Sequence, residues 1–285
     1  MKNTILDKLS TKIISLQNYN LVNHPAPYIL KSKYKNQDII EIGVEHSYNL
    51  KHKNYVQINS LFLEFIKTHL KNKIILLVEN NFQIQNLSKR KAISKYGESG
   101  FILWLANKYN IQTICPEPSQ REILIFASKK IKNKYNLLLW IFTNLLSSSL
   151  INKEIIDRQS IATIMRQVIS AGKIVDINES EDKLLKYFGH TISKITKNKI
   201  AFLNKNELLE CKLNISLLKD IQSPFLKKSV LNKIGAHINI ARDTYILSKK
   251  INVLKKGFHI FSVYGRNHVV CQEQALKEFI KINKP

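Results

Sequence analysis

The chain has 285 residues, is 44% hydrophobic and 23% charged, and sets 45 Lys and Arg against 21 Asp and Glu, a formal net charge of +24. That balance excludes a disordered chain and leaves length for one large domain or two small ones. The lysines are scattered and no nucleic-acid motif accompanies them, so they read as solvated surface with no specific nucleic-acid partner, peripheral membrane contact staying open.

Residues 1–20, MKNTILDKLSTKIISLQNYN, lack the apolar core of a secretory leader. From Pro27, YILKSKY and IIEIGVEH flank the polar KNQD, which predicts a β-hairpin with a four-residue loop. INSLFLEFIKTHLKN follows, its Leu61, Leu63, Phe65, Ile66 and Leu70 falling mostly at helical spacing, with Asn59 or Ser60 as cap. KIILLVEN, 73–80, is the continuous apolar run of a central parallel strand. GESGFILWLANKYN then predicts a helix and IQTICPEP a strand closed by its prolines. This alternation is the grammar of an α/β sheet.

Residues about 119–250 show little strand signal, and helices are expected at 120–133, 135–151, 153–171, 180–197 and 225–250. The apolar stretch 136–151 is too short for a bilayer and carries Thr143, Asn144 and three serines, so it reads as a buried helix or hairpin arm. GFHIFSVYG, 257–265, returns as a strand, and NHVVCQEQALKEFIKI closes the chain as an amphipathic helix. The expected architecture is therefore α/β, a mixed or mostly parallel sheet flanked by helices. Its core would be 25–120 and 255–285, with 121–254 a helical insertion or cap. Cys115, Cys211 and Cys271 lie far apart with no CxxC pair, which predicts free thiols and a cytoplasmic setting.

In an open α/β sheet, ligands bind at the carboxyl ends of the strands. Four predicted strand ends carry polar groups: Gly43, Glu45 and His46; Glu79 with Asn80; Glu117 between two prolines; Gly265, Asn267 and His268. The unit strand-Gly-x-x-His thus occurs twice. Parallel strands would bring two imidazoles and two carboxylates to one rim, a normal shell for a divalent transition metal. Without metal, a Glu/His pair supports general acid–base hydrolysis. Glycine just beyond a strand, free to take positive φ, would turn each His toward the crevice. Glu98 is placed at a helix start, where a capping carboxylate alone accounts for it. Arg242 and Asp243 form either an exposed neighbouring pair or, with Arg242 facing the cleft, a clamp for a carboxylate or oxyanion. His24, His52, His69, His190, His237 and His259 read as surface or satisfied core histidines.

In their order, Gly43 and His46, Glu79, Glu117, Arg242, and Gly265 and His268 resemble the superfamily of TraB/PrgY pheromone-shutdown proteins, Tiki metalloproteases, ChaN-type haem-binding lipoproteins and erythromycin esterases. The resemblance covers about 38–120 and 235–280. It implies a hydrolase of peptide, amide or ester bonds acting on a peptide or small ester, or alternatively a non-catalytic haem-, metal- or peptide-signal-binding protein. It further implies His46, Glu79, Glu117, Arg242 and His268 as catalytic residues; Gly43, Glu98, Gly265 and Asn267, near the same strand ends, are expected to bind substrate. His46, Glu79, Glu117 and His268 would hold a divalent metal, haem being the alternative and no cofactor a third expectation. The family's helix usually reads Arg-Asn followed by Met, where this chain has Arg242-Asp243 followed by Ile246.

Overall fold

A computed structural model gives the fold and describes residues 2–19, 24–80, 87–153 and 156–283. In chain order the elements are α1 (Lys2–Ser10), α2 (Leu16–Tyr19), β1 (Tyr28–Tyr34), β2 (Gln37–Val44), α3 (Lys53–Thr68), β3 (Ile74–Val78), α4 (Lys89–Tyr109) and β4 (Gln112–Ile114). Then come α5 (Gln120–Ser128), α6 (Lys134–Lys153), α7 (Arg158–Ile174), α8 (Glu181–Thr196), α9 (Lys205–Glu210), α10 (Ile215–Gln222), α11 (Val230–Lys255), β5 (His259–Gly265) and α12 (Arg266–Ile282). The chain divides into an α/β unit of residues 1–14, 21–118 and 242–285, and a helical unit of residues 15–20 and 119–241. The α/β unit takes in 242–254, the second half of α11, and so extends into the span expected to be helical insertion.

The α/β unit holds one five-stranded sheet in the order β1-β2-β5-β3-β4. β1 is antiparallel to β2, and the other neighbours are parallel. The sheet is mixed and mostly parallel, as the α/β pattern predicts. Every residue of β3 is buried, which explains its unbroken apolar sequence: a central strand covered on both faces has no polar side. One face packs Ile42, Val44, Phe261 and Val263 against Tyr55, Ile58, Phe62 and Phe65 of α3 and Phe101 and Ile102 of α4.

Tyr34 pairs with Gln37, so the hairpin loop is the two residues Lys35 and Asn36, not the expected four. Lys35 takes φ 53°, a conformation usually left to Gly or Asn, which is why the turn carries no glycine signal.

In the helical unit, α5 to α8 form where helices are expected, with side-chain caps from Ser119, Asp157 and Ser180 for α5, α7 and α8. Residues 154 and 155 of the expected 153–171 helix lie outside the described residues. Two shorter helices, α9 and α10, escaped the sequence reading because their polar flanks read as loop. Leu137, Leu138, Leu139, Phe142 and Leu146 of α6 are buried, so its apolar stretch is core. Among the described residues no helix is long and apolar enough to cross a membrane.

Candidate functional site

Because β2, β5, β3 and β4 run parallel, their carboxyl ends share one edge. His46 follows β2, Glu79 follows β3, Glu117 follows β4 and His268 opens α12 after β5. Arg242 of α11 ties three of these together. Its Nε and Nη2 donate to the two oxygens of Glu117 at 2.7 and 2.9 Å, and Nη2 also donates to Glu79 Oε1 at 3.0 Å. Nη1 donates to His268 Nε2 at 2.9 Å. The second oxygen of Glu79 accepts the Gly265 backbone N–H at 3.2 Å, and a β-carbon on Gly265 would stand 3.2 Å from His46 Nε2. All five residues expected to be catalytic therefore lie on one rim.

The two Gly-x-x-His units interlock. A β-carbon at Gly43 would stand 2.9 Å from the Cα of Arg266, inside the second unit, while Gly265 leaves room for His46 of the first. Neither glycine has positive φ, so the expected backbone turn is not their role; close approach is. Gly43 is buried under α12 and cannot touch a substrate, which corrects its placement among substrate-binding residues. Gly43→Ala is expected to destabilise the α/β unit by about 1–3 kcal/mol, because the neighbouring atom is backbone and cannot swing aside. Thermal unfolding checks this.

Each motif histidine has a carboxylate on Nδ1. His46 Nδ1 meets Glu98 Oε1, whose other oxygen accepts the Ser47 N–H at 3.2 Å. His268 Nδ1 donates to Asp243 Oδ1 at 2.8 Å, since its Nε2 already accepts from Arg242. Glu98 is 6% exposed and sits on a kink in α4 made by Gly97, at φ 57° and ψ −140°. It opens the helical segment after the kink, as expected of a helix start, but its carboxylate holds His46 and the Ser47 N–H and does not meet a substrate. The loop carrying His46 is pinned from α3: Asn54 Nδ2 donates to the Glu45 carbonyl at 3.1 Å and the Tyr55 hydroxyl to that of Ser47. Asn267 is half-buried beside Gly265, its Oδ1 3.1 Å from where a β-carbon would stand.

The charges divide the labour. The hydrogen bond that His46 donates to Glu98 raises the His46 pKa above the ordinary imidazole value, outweighing partial burial, because the carboxylate stabilises the imidazolium. Burial alone would push Glu79 up; the charge and hydrogen bond of Arg242 and the Gly265 N–H outweigh it and hold Glu79 below the usual carboxylate range. Glu79 is thus an ionised acceptor and not a general acid at neutral pH. Burial would discharge Arg242, yet Glu117 and Glu79 hold its guanidinium more firmly protonated than usual. The Cys115 thiol, donating to the Glu79 carbonyl at 3.4 Å, is pushed up by burial and is no nucleophile at neutral pH.

The rim does not fit the expected metal shell. The Arg242 cation occupies the space between Glu79, Glu117 and His268 that a divalent ion would need. No three of His46, Glu79, Glu117 and His268 bring one ligand atom each within 4.8 Å of one another. Among the described residues, the group that does so is Asp38, His69 and His259, at the other end of the strands.

Behind the rim lies a buried polar ladder that the sequence reading missed. Gln272, one turn beyond His268 on α12, donates to Asp243 Oδ1 at 2.6 Å and accepts from Lys250 Nζ at 2.8 Å. Lys250 pairs with Glu41 of β2, and Ser262 of β5 donates to the same Glu41 oxygen at 3.2 Å. The Lys250 and Glu41 side chains are 2% and 0% exposed. The available signal was a charge inside an apolar run, Glu41 in IIEIGV, because a buried charge requires a partner.

Compared with protein-family models, curated proteins and solved structures, the chain matches none.

Proposed function

We propose that this chain is a hydrolase of peptide, amide or ester bonds in which His46 is the general base. The observation that carries this reading is the His46–Glu98 pair: Nδ1 is tied to a buried carboxylate while Nε2 faces the rim on a side chain 63% exposed. An imidazole so oriented, neutral with its proton on Nδ1, can take a proton from water as the oxygen attacks a carbonyl carbon. Glu98 then stabilises the imidazolium that forms. Arg242 supplies fixed positive charge beside the developing oxyanion, prealigned by Glu79 and Glu117. His268, held by Asp243 and Arg242, keeps that guanidinium in place. The family likeness of the two Gly-x-x-His units agrees with hydrolysis. The free Cys115, Cys211 and Cys271 suit a cytoplasmic setting.

The test is turnover of a panel of aryl esters and short peptides. Wild-type protein is expected to hydrolyse at least one of them with or without chelator, and His46→Gln to lower kcat about a hundredfold or more. Equal turnover by both proteins sinks the reading. Absence of turnover, with haem or peptide retained on purification, favours the binding protein instead.

The pH profile gives a sharper check. His46 must be neutral to act, so kcat/KM should fall as pH drops through its pKa, which Glu98 holds above the ordinary imidazole value. Glu98→Gln removes the charge that stabilises the imidazolium, so the acid limb should move to lower pH while the maximal rate falls.

A further inference from the structure

At the amino ends of β2 and β5, about 20 Å of strand away from the rim, three residues meet that the proposed reaction does not use. Asp38 opens β2, His259 opens β5, and His69 follows α3. Each offers a ligand atom, and these atoms all lie within 4.8 Å of one another. The His69 and His259 rings stand 3.9 Å apart between centroids. His69 Nδ1 lies 2.8 Å from the Phe65 carbonyl, which can only accept, so Nδ1 carries a proton. The Thr68 hydroxyl, 2.9 Å from Nδ1, itself donates to the Phe65 carbonyl at 3.0 Å. The other nitrogen, Nε2, points at Asp38 Oδ2 from 2.8 Å. In a neutral ring two lone pairs would face each other there. A cation must stand between them, either a proton or a metal ion. A backbone carbonyl on the far nitrogen is also the usual support of a metal-binding histidine.

We propose that Asp38, His69 and His259 form a binding site for one divalent transition-metal ion. Two imidazoles, one carboxylate and a water make a tetrahedral set suited to zinc. Ligands about 2 Å from a tetrahedral ion stand roughly 3.3 Å apart, so the His69–Asp38 contact opens by about half an ångström. Two local bonds give way. The Asp38 N–H, now donating to His259 Nδ1 at 3.0 Å, releases that ring, and Lys33, 3.8 Å from Asp38 Oδ1 and largely exposed, swings into solvent. His69 and His259, read from sequence as surface or satisfied core histidines, acquire a role the Gly-x-x-His pattern did not mark.

The experiment titrates metal-stripped full-length protein with Zn2+ by calorimetry and with Co2+ by visible absorption. One saturable ion per chain is expected, with cobalt bands of a four-coordinate site. Asp38→Asn, which keeps the side-chain shape, and His259→Gln should each weaken zinc binding at least tenfold. His46→Gln, at the rim, should leave it unchanged. Because the readout is binding, failure of the proposed hydrolysis would not touch it. Zinc should also raise the unfolding temperature of wild type and not of Asp38→Asn, which covers a poorly folding His259 variant. Absence of saturable zinc binding, or affinities within twofold in wild type and Asp38→Asn, would show a proton-bridged ion pair only and overturn the assignment.

Discussion

Lys250→Met is expected to cost the α/β unit about 3–5 kcal/mol, because it strands the Glu41 carboxylate in the core without its cation. Against a total stability of roughly 5–15 kcal/mol, that is a large fraction. Glu41→Leu together with Lys250→Met should recover most of the loss. The pair is expensive to desolvate, and Glu41 Oε2 has no hydrogen-bond partner among the described residues, so the intact pair is not fully compensated. Recovery should fall short of complete, since Gln272 Oε1 loses the Lys250 ammonium and Ser262 loses Glu41. Denaturant unfolding of the two singles and the double closes a thermodynamic cycle; additive losses would mean that the pair is not a unit.

The fold was legible where one physical requirement dominated. The unbroken apolar run of β3 announces burial on both faces, and the helical spacing of α3 announces one buried stripe. The rim was legible because parallel strands must present their ends together, so Glu79, Glu117 and His268 could be grouped without knowing the strand order. What remained hidden was pairing. Nothing local in Arg242-Asp243 says that one residue meets two strand-end glutamates while the next holds His268. Arg242 was given a substrate to clamp, and in the fold its partners are the very carboxylates expected to bind metal. Glu98 looked like a helix cap because its partner, 52 positions earlier, is reached only through the kink at Gly97. Asp38, His69 and His259 were passed over because strand amino ends carry no motif, and their meeting depends on the β2–β5 pairing.

Arg242→Met should be the most damaging change at the rim, removing about 2–4 kcal/mol. This lies somewhat below the cost at a dry pair because Arg242, Glu79 and Glu117 keep 25%, 15% and 19% of their side chains exposed. The loss should depend on pH in a way that identifies its cause. In the wild type Glu79 has a depressed pKa, so its contribution is present above the unfolded value of about 4.5 and disappears as pH falls through the lower folded value. In the variant, burial acts on Glu79 without Arg242, so its folded pKa moves above the unfolded one. Folded variant then binds protons more readily than unfolded chain, and its stability should rise as pH is lowered from neutral toward that value. The wild type should show no such gain. Arg242→Lys keeps one charge but cannot span both oxygens of Glu117, Glu79 and His268 at once, so it should restore part of the stability and little of any hydrolysis. Unfolding midpoints measured for all three proteins from neutral pH down to about 4.5 decide the matter. Parallel curves for wild type and Arg242→Met would mean that the guanidinium does not hold Glu79 ionised, and the fixed positive charge assigned to the oxyanion would go with it.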